Sequence, residues 1–358
     1  MTVVAQLGIG ARAKMQMAAT GDRGFRLPAM LPRRRALKLH ATWCSKPVGD
    51  REHADRSSSD LRSSPPRARR RSRSHSSYDS RRRRRSPSMP PNALVLARQA
   101  GSLAVGLALQ PKRSTTTLVA TVLGPDGSGV SGLDASLTLK TAGGAEASGK
   151  GRACGPGCYE ATLTRTGRPS AATVSLADRT RNESATFALP KSWPPPPATK
   201  LVRRAAAAYR RLRTLVTRER LASDPTHAVS TVYQAVAPNR LHFTITNGTE
   251  AIIIGDRRWD KDLGHPWSGS PQAPIHSIIP YWVTTPVNPF LLGSDSVGGH
   301  AVWVVSFVTP QVPAWFTIWI DKKTHRTLEL RMTAAGHFMH HRYGPFNAPL
   351  TINPPGRR

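Results

Sequence analysis

Near the C-terminus, His337, Met339 and His341 stand at alternate positions of the run HisPheMetHisHis. On a β-strand, residues two apart share a face. The three would then present imidazole, thioether and imidazole to one side, a ligand set that suits copper. The spacing works against convergence, because strand residues rise ~3.3 Å each and His337 and His341 start ~13 Å apart. One ion would need a bulge or an outside ligand such as His242 or His325. The competing reading is three partly buried, hydrogen-bonded side chains. Farther upstream, Cys154 and Cys158 flank GlyProGly. Such small, turn-forming residues let the thiols approach, so a disulfide, two free thiols and a soft-metal pair all stay open. A disulfide would imply an oxidising, extracytoplasmic setting. A zinc site is poorly served by two cysteines with no second pair and no nearby His. Cys44 lies apart from both and carries no argument.

Catalytic signatures are missing from the chain. GlySerAspSerValGlyGlyHis (Gly293–His300) holds Ser, Asp and His but lacks the context of a nucleophile elbow, and reads as a turn. Neither a phosphate-cradling P-loop nor a HisGluXXHis zinc motif occurs. The sequence therefore predicts a binding protein and not an enzyme. Asn182-Glu-Ser184 and Asn247-Gly-Thr249 fit the glycosylation sequon, as two chance matches would. What stands out is the aromatic payload: six of the eight tryptophans fall between Trp259 and Trp319. Trp282, Phe290, Trp303, Trp315, Trp319 and Met332 either line a pocket for a hydrophobic or lipid ligand or fill a closed core.

The elements that must position these residues begin near Met89, where the chain changes character. The first 89 residues hold 22 Lys and Arg against 6 Asp and Glu, so +16 of the formal +31 sits in a quarter of the chain. ArgAlaArgArgArgSerArgSer (Arg67–Ser74) and Arg81–Arg85 dominate it. So basic and apolar-poor a segment is expected to be disordered. It reads as an inert or wrong-frame stretch, or as a nucleic-acid-binding tail acting through counterion release. RNA-recognition modules normally accompany such tails, and nothing downstream resembles one. No run reaches the ~20 apolar residues of a membrane span; the nearest, Leu94–Leu109, is broken by Arg98, Gln99 and glycines. The N-terminus shows no signal-peptide pattern.

From Leu94 to about 190, short alternating runs predict strands: Leu103–Leu109, Thr116–Leu123, Leu133–Leu139, Tyr159–Leu163, Ala172–Leu176 and Ala185–Leu189. Turns every 8–12 residues, GlyProAspGlySerGly at Gly124–Gly129 among them, predict an immunoglobulin-like β-sandwich. SerTrpProProProPro (Ser192–Pro197) predicts an extended linker over 191–197. Ala198–Leu221 then reads as one amphipathic helix, with Leu201, Ala205, Leu212 and Val216 at helical spacing and arginines mostly elsewhere. Everything after Asp224-Pro225 is strand-like. In ThrLeuGluLeuArgMet, Leu328, Leu330 and Met332 share one face, and Asp321–Arg326 supplies a hairpin turn. The expected fold is mainly β: a sandwich, then one long helix against a curved antiparallel sheet, an α+β half-barrel.

Two resemblances rest on these stretches. ProProAsnAlaLeuValLeuAlaArgGlnAlaGlySerLeuAlaValGlyLeuAlaLeuGlnPro, ValLeuGlyProAspGlySerGlyValSerGlyLeu and CysGlyProGlyCysTyrGluAlaThrLeu resemble a YtkA/CopC-like domain over about 90–190. That resemblance implies an extracytoplasmic place, a link to a CopD-type multi-helix membrane protein, and copper homeostasis. CopC-like copper sites use His and Met, and this stretch has neither after Met89. ProAsnArgLeuHisPhe, IleIleIleGlyAspArgArgTrp, GlyHisProTrp and IleTrpIleAspLysLysThrHisArgThrLeuGluLeuArgMet resemble a LolA/LppX-like lipoprotein carrier over about 198–356. It implies an open half-barrel holding a hydrophobic ligand against its helix, at the extracytoplasmic face of a bacterial membrane.

Overall fold

The computed structural model describes residues 90–164, 166–246, 248–275, 282, 286–309 and 313–356. The basic segment 1–89, with Cys44, and Asn247 of one sequon lie outside the described residues.

Nine strands build the first part: β1 (Leu94–Ala100), β2 (Leu103–Pro111), β3 (Thr115–Leu123), β4 (Asp134–Thr141), β5 (Glu146–Lys150), β6 (Arg152–Gly155), β7 (Cys158–Thr164), β8 (Pro169–Ala177) and β9 (Asn182–Ala188). They form two antiparallel sheets, ordered β1-β2-β3-β7-β6 and β5-β4-β8-β9. Alternate residues of both, Leu107, Leu118, Leu137, Val174 and Phe187 among them, share one core. Tyr159 pins the connection that precedes β4: its hydroxyl donates to the Val130 carbonyl at 2.9 Å and accepts from the Leu133 N–H at 3.1 Å. The six predicted strands are present. The sequence does not predict β1, β5 and β6: Leu94–Ala100 reads only as part of an interrupted apolar run, and β5 and β6 are largely exposed with no apolar alternation. Cross-strand pairing with β2, β4 and β7 makes them strands.

The Pro-rich stretch is tied down. Pro197 bridges to Phe290, the Leu291 N–H donates to Pro196 and the Ala198 N–H to Pro289. The helix is half the predicted length. α1 spans Thr199–Arg210, and Thr214–Ala222 is a strand, β10. Leu212 and Val216 fit helical spacing, but Leu215, Thr217, Glu219 and Leu221 alternate with Val216, Arg218 and Arg220 at strand spacing, and pairing on both sides decides the outcome.

Ten more strands follow: β11 (Ala228–Val236), β12 (Arg240–Ile245), β13 (Glu250–Ile254), β14 (Arg257–Lys261), β15 (Ser268–Pro271), β16 (Val287–Val297), β17 (His300–Thr309), β18 (Ala314–Asp321), β19 (Thr327–Ala334) and β20 (His337–Phe346). With β10 they make one eleven-stranded antiparallel sheet, ordered β15-β14-β13-β12-β11-β10-β20-β19-β18-β17-β16. Two meanders thus meet at a β10–β20 seam. α1 covers one face of the second meander, here the inner face. The sandwich covers part of the other: Ala93, Val95 and Ala104 pack with Val308, Trp315, Phe338 and Ala222. Gly106 on β2 is required there, since a Cβ would strike the Trp315 indole.

Candidate ligand-holding interior

α1 lays Val202, Ala205, Ala206 and Tyr209 on the inner face, against Leu215, Phe307, Phe316, Ile318, Leu330, Met332 and Tyr343. Trp282 stands edge-on to Tyr209 with ring centres 5.7 Å apart, and Phe307 stacks on Phe316 at 5.1 Å. Across the seam the inner face carries a second apolar tract: Tyr233, Phe243, Ile245, Ala251 and Ile253, joined by Ile275. At its far side Arg258 grips Asp260 through Nε and Nη2, and its guanidinium lies 5.7 Å from the Phe243 ring.

Between the two tracts, at the seam, lies a buried polar group. Glu219 of β10 faces His341 of β20, with Oε2 2.9 Å from Nε2. Tyr233 donates its hydroxyl to Glu219 Oε1 at 3.2 Å, and Tyr343 Oη lies 3.0 Å from His341 Nδ1. Burial pushes the Tyr233 phenol pKa up, and the Glu219 charge pushes it further. Burial likewise raises Tyr343 and Tyr209. All three phenols therefore keep their protons across the physiological range. Tyr209 Oη and Trp282 Nε1 point toward this group without closing a hydrogen bond.

The structure splits the six predicted ligand-lining residues between faces. Trp282 and Met332 belong to the inner cluster under α1. Trp303 shares that face, opposite Ile320, beside His325 and Lys322. Phe290 packs on the sandwich core, and Trp315 fills the sheet–sandwich junction. Trp319 faces outward too, donating to Asp295 at 3.1 Å under the Arg331 guanidinium. Tyr209, on the apolar stripe expected of the helix, and residues the sequence did not single out, Tyr233, Phe243, Phe307, Tyr343 and Glu219, complete the inner face. The register signal for them exists, but only once β10 is known to be a strand.

His337, Met339 and His341 do share the inner face of β20. Both ring nitrogens of His341 are engaged, and His337 Nδ1 lies 3.2 Å from the Ala335 carbonyl. His242 sits on the opposite face, bonded to Gln234, and His325 stacks near Trp303. Among the described residues no group of three or more His, Cys, Asp or Glu is placed to hold a metal ion. Cys154 and Cys158 are joined by a disulfide. A cleft of about 410 Å³ at the β15 edge is lined by Asp256–Trp259 and Gly269–Pro271, and shares Arg258 with the far side of the second apolar tract.

No protein-family model matches the chain, and no curated protein sequence matches it. Among solved structures it is similar to the lipoprotein LppX of Mycobacterium tuberculosis, at 14% identity and a TM-score of 0.36, over 43% of this chain and 97% of that one. It is also similar to LprF of Mycobacterium bovis, at 14% identity and 0.37, over 46% and 99%. A LolA superfamily protein of Nitrosomonas europaea matches at 11% and 0.23, over 44% and 95%. Likenesses this faint carry no functional inference.

Proposed function

We propose that this chain is a non-enzymatic, extracytoplasmic binding protein that holds an apolar, lipid-like ligand between its helix and its large sheet. One observation carries the reading: the inner face holds two separate apolar tracts, and α1 packs on only one of them. The second, though beyond the helix, is closed off at 9% exposure or less, so a ligand would enter by parting that cover. Eleven strands at ~4.8 Å spacing span ~48 Å, whereas twelve helical residues reach only ~18 Å. Yet that face is apolar on both sides of the seam, under α1 and again from Tyr233 to Ile253. Acyl chains fit such a surface. The Glu219–His341–tyrosine group supplies the few polar contacts that apolar sites usually hold. The Cys154–Cys158 disulfide supports an oxidising location. No described helix is long and apolar enough to cross a membrane. A copper-homeostasis setting rests on the resemblance of 90–190 alone.

The test is direct. Solvent extraction of the purified full chain should release lipid identifiable by mass spectrometry, and the stripped protein should bind a fluorescent fatty-acid probe. A protein that releases nothing and leaves the probe unchanged refutes the reading.

A further inference from the structure

On the outward face of the sheet, away from α1, strand register assembles a basic block at the seam. β10 contributes Arg218 and Arg220, β20 contributes Arg342 and His340, and β19 contributes Glu329 and Arg331. Arg218 stands directly opposite Arg342, and Arg342 opposite Glu329; Arg220 stands opposite His340, and His340 opposite Arg331. All four arginines are exposed. Two carboxylates stand near them, both on the Arg331 side: Glu329, engaged by Arg331 at 3.2 Å and His340 at 2.9 Å, and Asp295, whose charge Arg331 favours. Arg218 donates to the Gly344 carbonyl at 3.1 Å. Arg220 and Arg342 form no hydrogen bond or ion pair among the described residues.

This arrangement works against the fold. Like charges directly opposite on neighbouring strands destabilise a sheet, and no packing demand explains solvent-exposed arginines there. Burial lowers the His340 pKa; Glu329 opposes that, and the Arg331 and Arg342 charges push it further down. Beside Arg218, Val232 is 40% exposed, an apolar side chain level with the cations.

We propose that this face docks on the surface of an anionic lipid bilayer. Charge complementarity argues for an anionic partner. The exposed Val232 argues for a headgroup layer over a nucleic acid. Single-stranded nucleic acids want open aromatic platforms, whereas the one indole here, Trp319, is buried beneath Arg331. The proposal is independent of what the interior holds.

The Arg81–Arg85 run would bind the same vesicles by itself, so the readout must be local. In the full chain with Cys44→Ser, an environment-sensitive fluorophore is attached at Val232→Cys, or at Lys200→Cys on α1 as the reference. Vesicles of phosphatidylcholine with one-third phosphatidylglycerol should shift the emission at 232 to the blue and leave that at 200 unchanged. Pure phosphatidylcholine should shift neither. Arg220→Ser with Arg342→Ser should weaken the response at 232 about 25-fold in lipid concentration, at about fivefold per charge. Both substitutions remove exposed, unpaired side chains, and unchanged lipid-free emission at 232 will verify that the face is intact. Vesicle binding with no change at 232 assigns the contact to the N-terminal tract and overturns the proposal. So does a serine pair that responds like the parent, a protein that ignores the vesicles, or one that binds only RNA.

Discussion

Replacing His341 with Leu tests whether the seam depends on the buried hydrogen bond between His341 and Glu219. The His341 and Glu219 side chains are 9% and 3% exposed and 2.9 Å apart. Removing the imidazole leaves a buried carboxyl short of one partner, which typically costs ~1–3 kcal/mol, more where the group is charged. Losing the Tyr343 contact adds an unsatisfied hydroxyl worth ~1–3 kcal/mol, partly within that range. Glu219→Leu should cost a comparable amount and also remove the carboxyl acceptor of the Tyr233 hydroxyl. The double variant should cost clearly less than the two singles combined, giving a coupling energy above ~2 kcal/mol. Urea unfolding followed by tryptophan fluorescence measures each value. The exposed pair Lys150–Asp134, at 3.1 Å with side chains 80% and 70% exposed, is the internal control. Lys150→Ala should cost no more than ~1 kcal/mol. A His341→Leu penalty as small as that of Lys150→Ala, or two singles that simply add, would refute the argument that this pair is a buried, mutually dependent unit.

Other perturbations follow from the same geometry. Asp321 holds the β18–β19 turn, accepting from the Thr324 and Lys323 N–H groups, the Thr324 hydroxyl and His300. Burial works to raise its pKa, but those bonds win and hold it below 3.8. A depressed carboxyl stabilises the fold above its unfolded pKa and loses that contribution as pH falls through the folded value. Asp321→Asn should therefore cost ~1–3 kcal/mol at pH 7, and its melting curve should converge with the parent's as the pH drops below about 3.8. Gly106→Ala should cost ~1–3 kcal/mol by pressing a methyl into Trp315, seen as a lowered melting temperature that Trp315→Leu partly restores. Reducing the Cys154–Cys158 bridge should cost ~2 kcal/mol for so short a loop, and dithiothreitol should not shift the urea midpoint of a Cys154→Ser/Cys158→Ser variant.

Local pattern determined much of this protein. Tyr159–Leu163 reads as a strand because period-two alternation leaves a single face to bury, and Leu103–Leu109 reads as one although the fold buries both its faces. GlyProGly between Cys154 and Cys158 made a disulfide one of three readings, and the Thr327–Met332 alternation placed Met332 on a buried face. Even the continuous apolar runs of β17 and β18 hinted at burial on both sides. Sequence stopped at the question of what each face meets. Trp315 and Trp319 lie four residues apart on the same strand face, yet one fills the sandwich junction and the other bonds Asp295. Likewise, Leu212–Val216 fit a helix as well as a strand until β11 and β20 supplied partners on both edges of β10. The Glu219–His341 pair, 122 residues apart, exists only because the seam brings first and last strands of two meanders together. Such non-local pairing is a property of the assembled sheet, and no run of neighbouring residues encodes it alone.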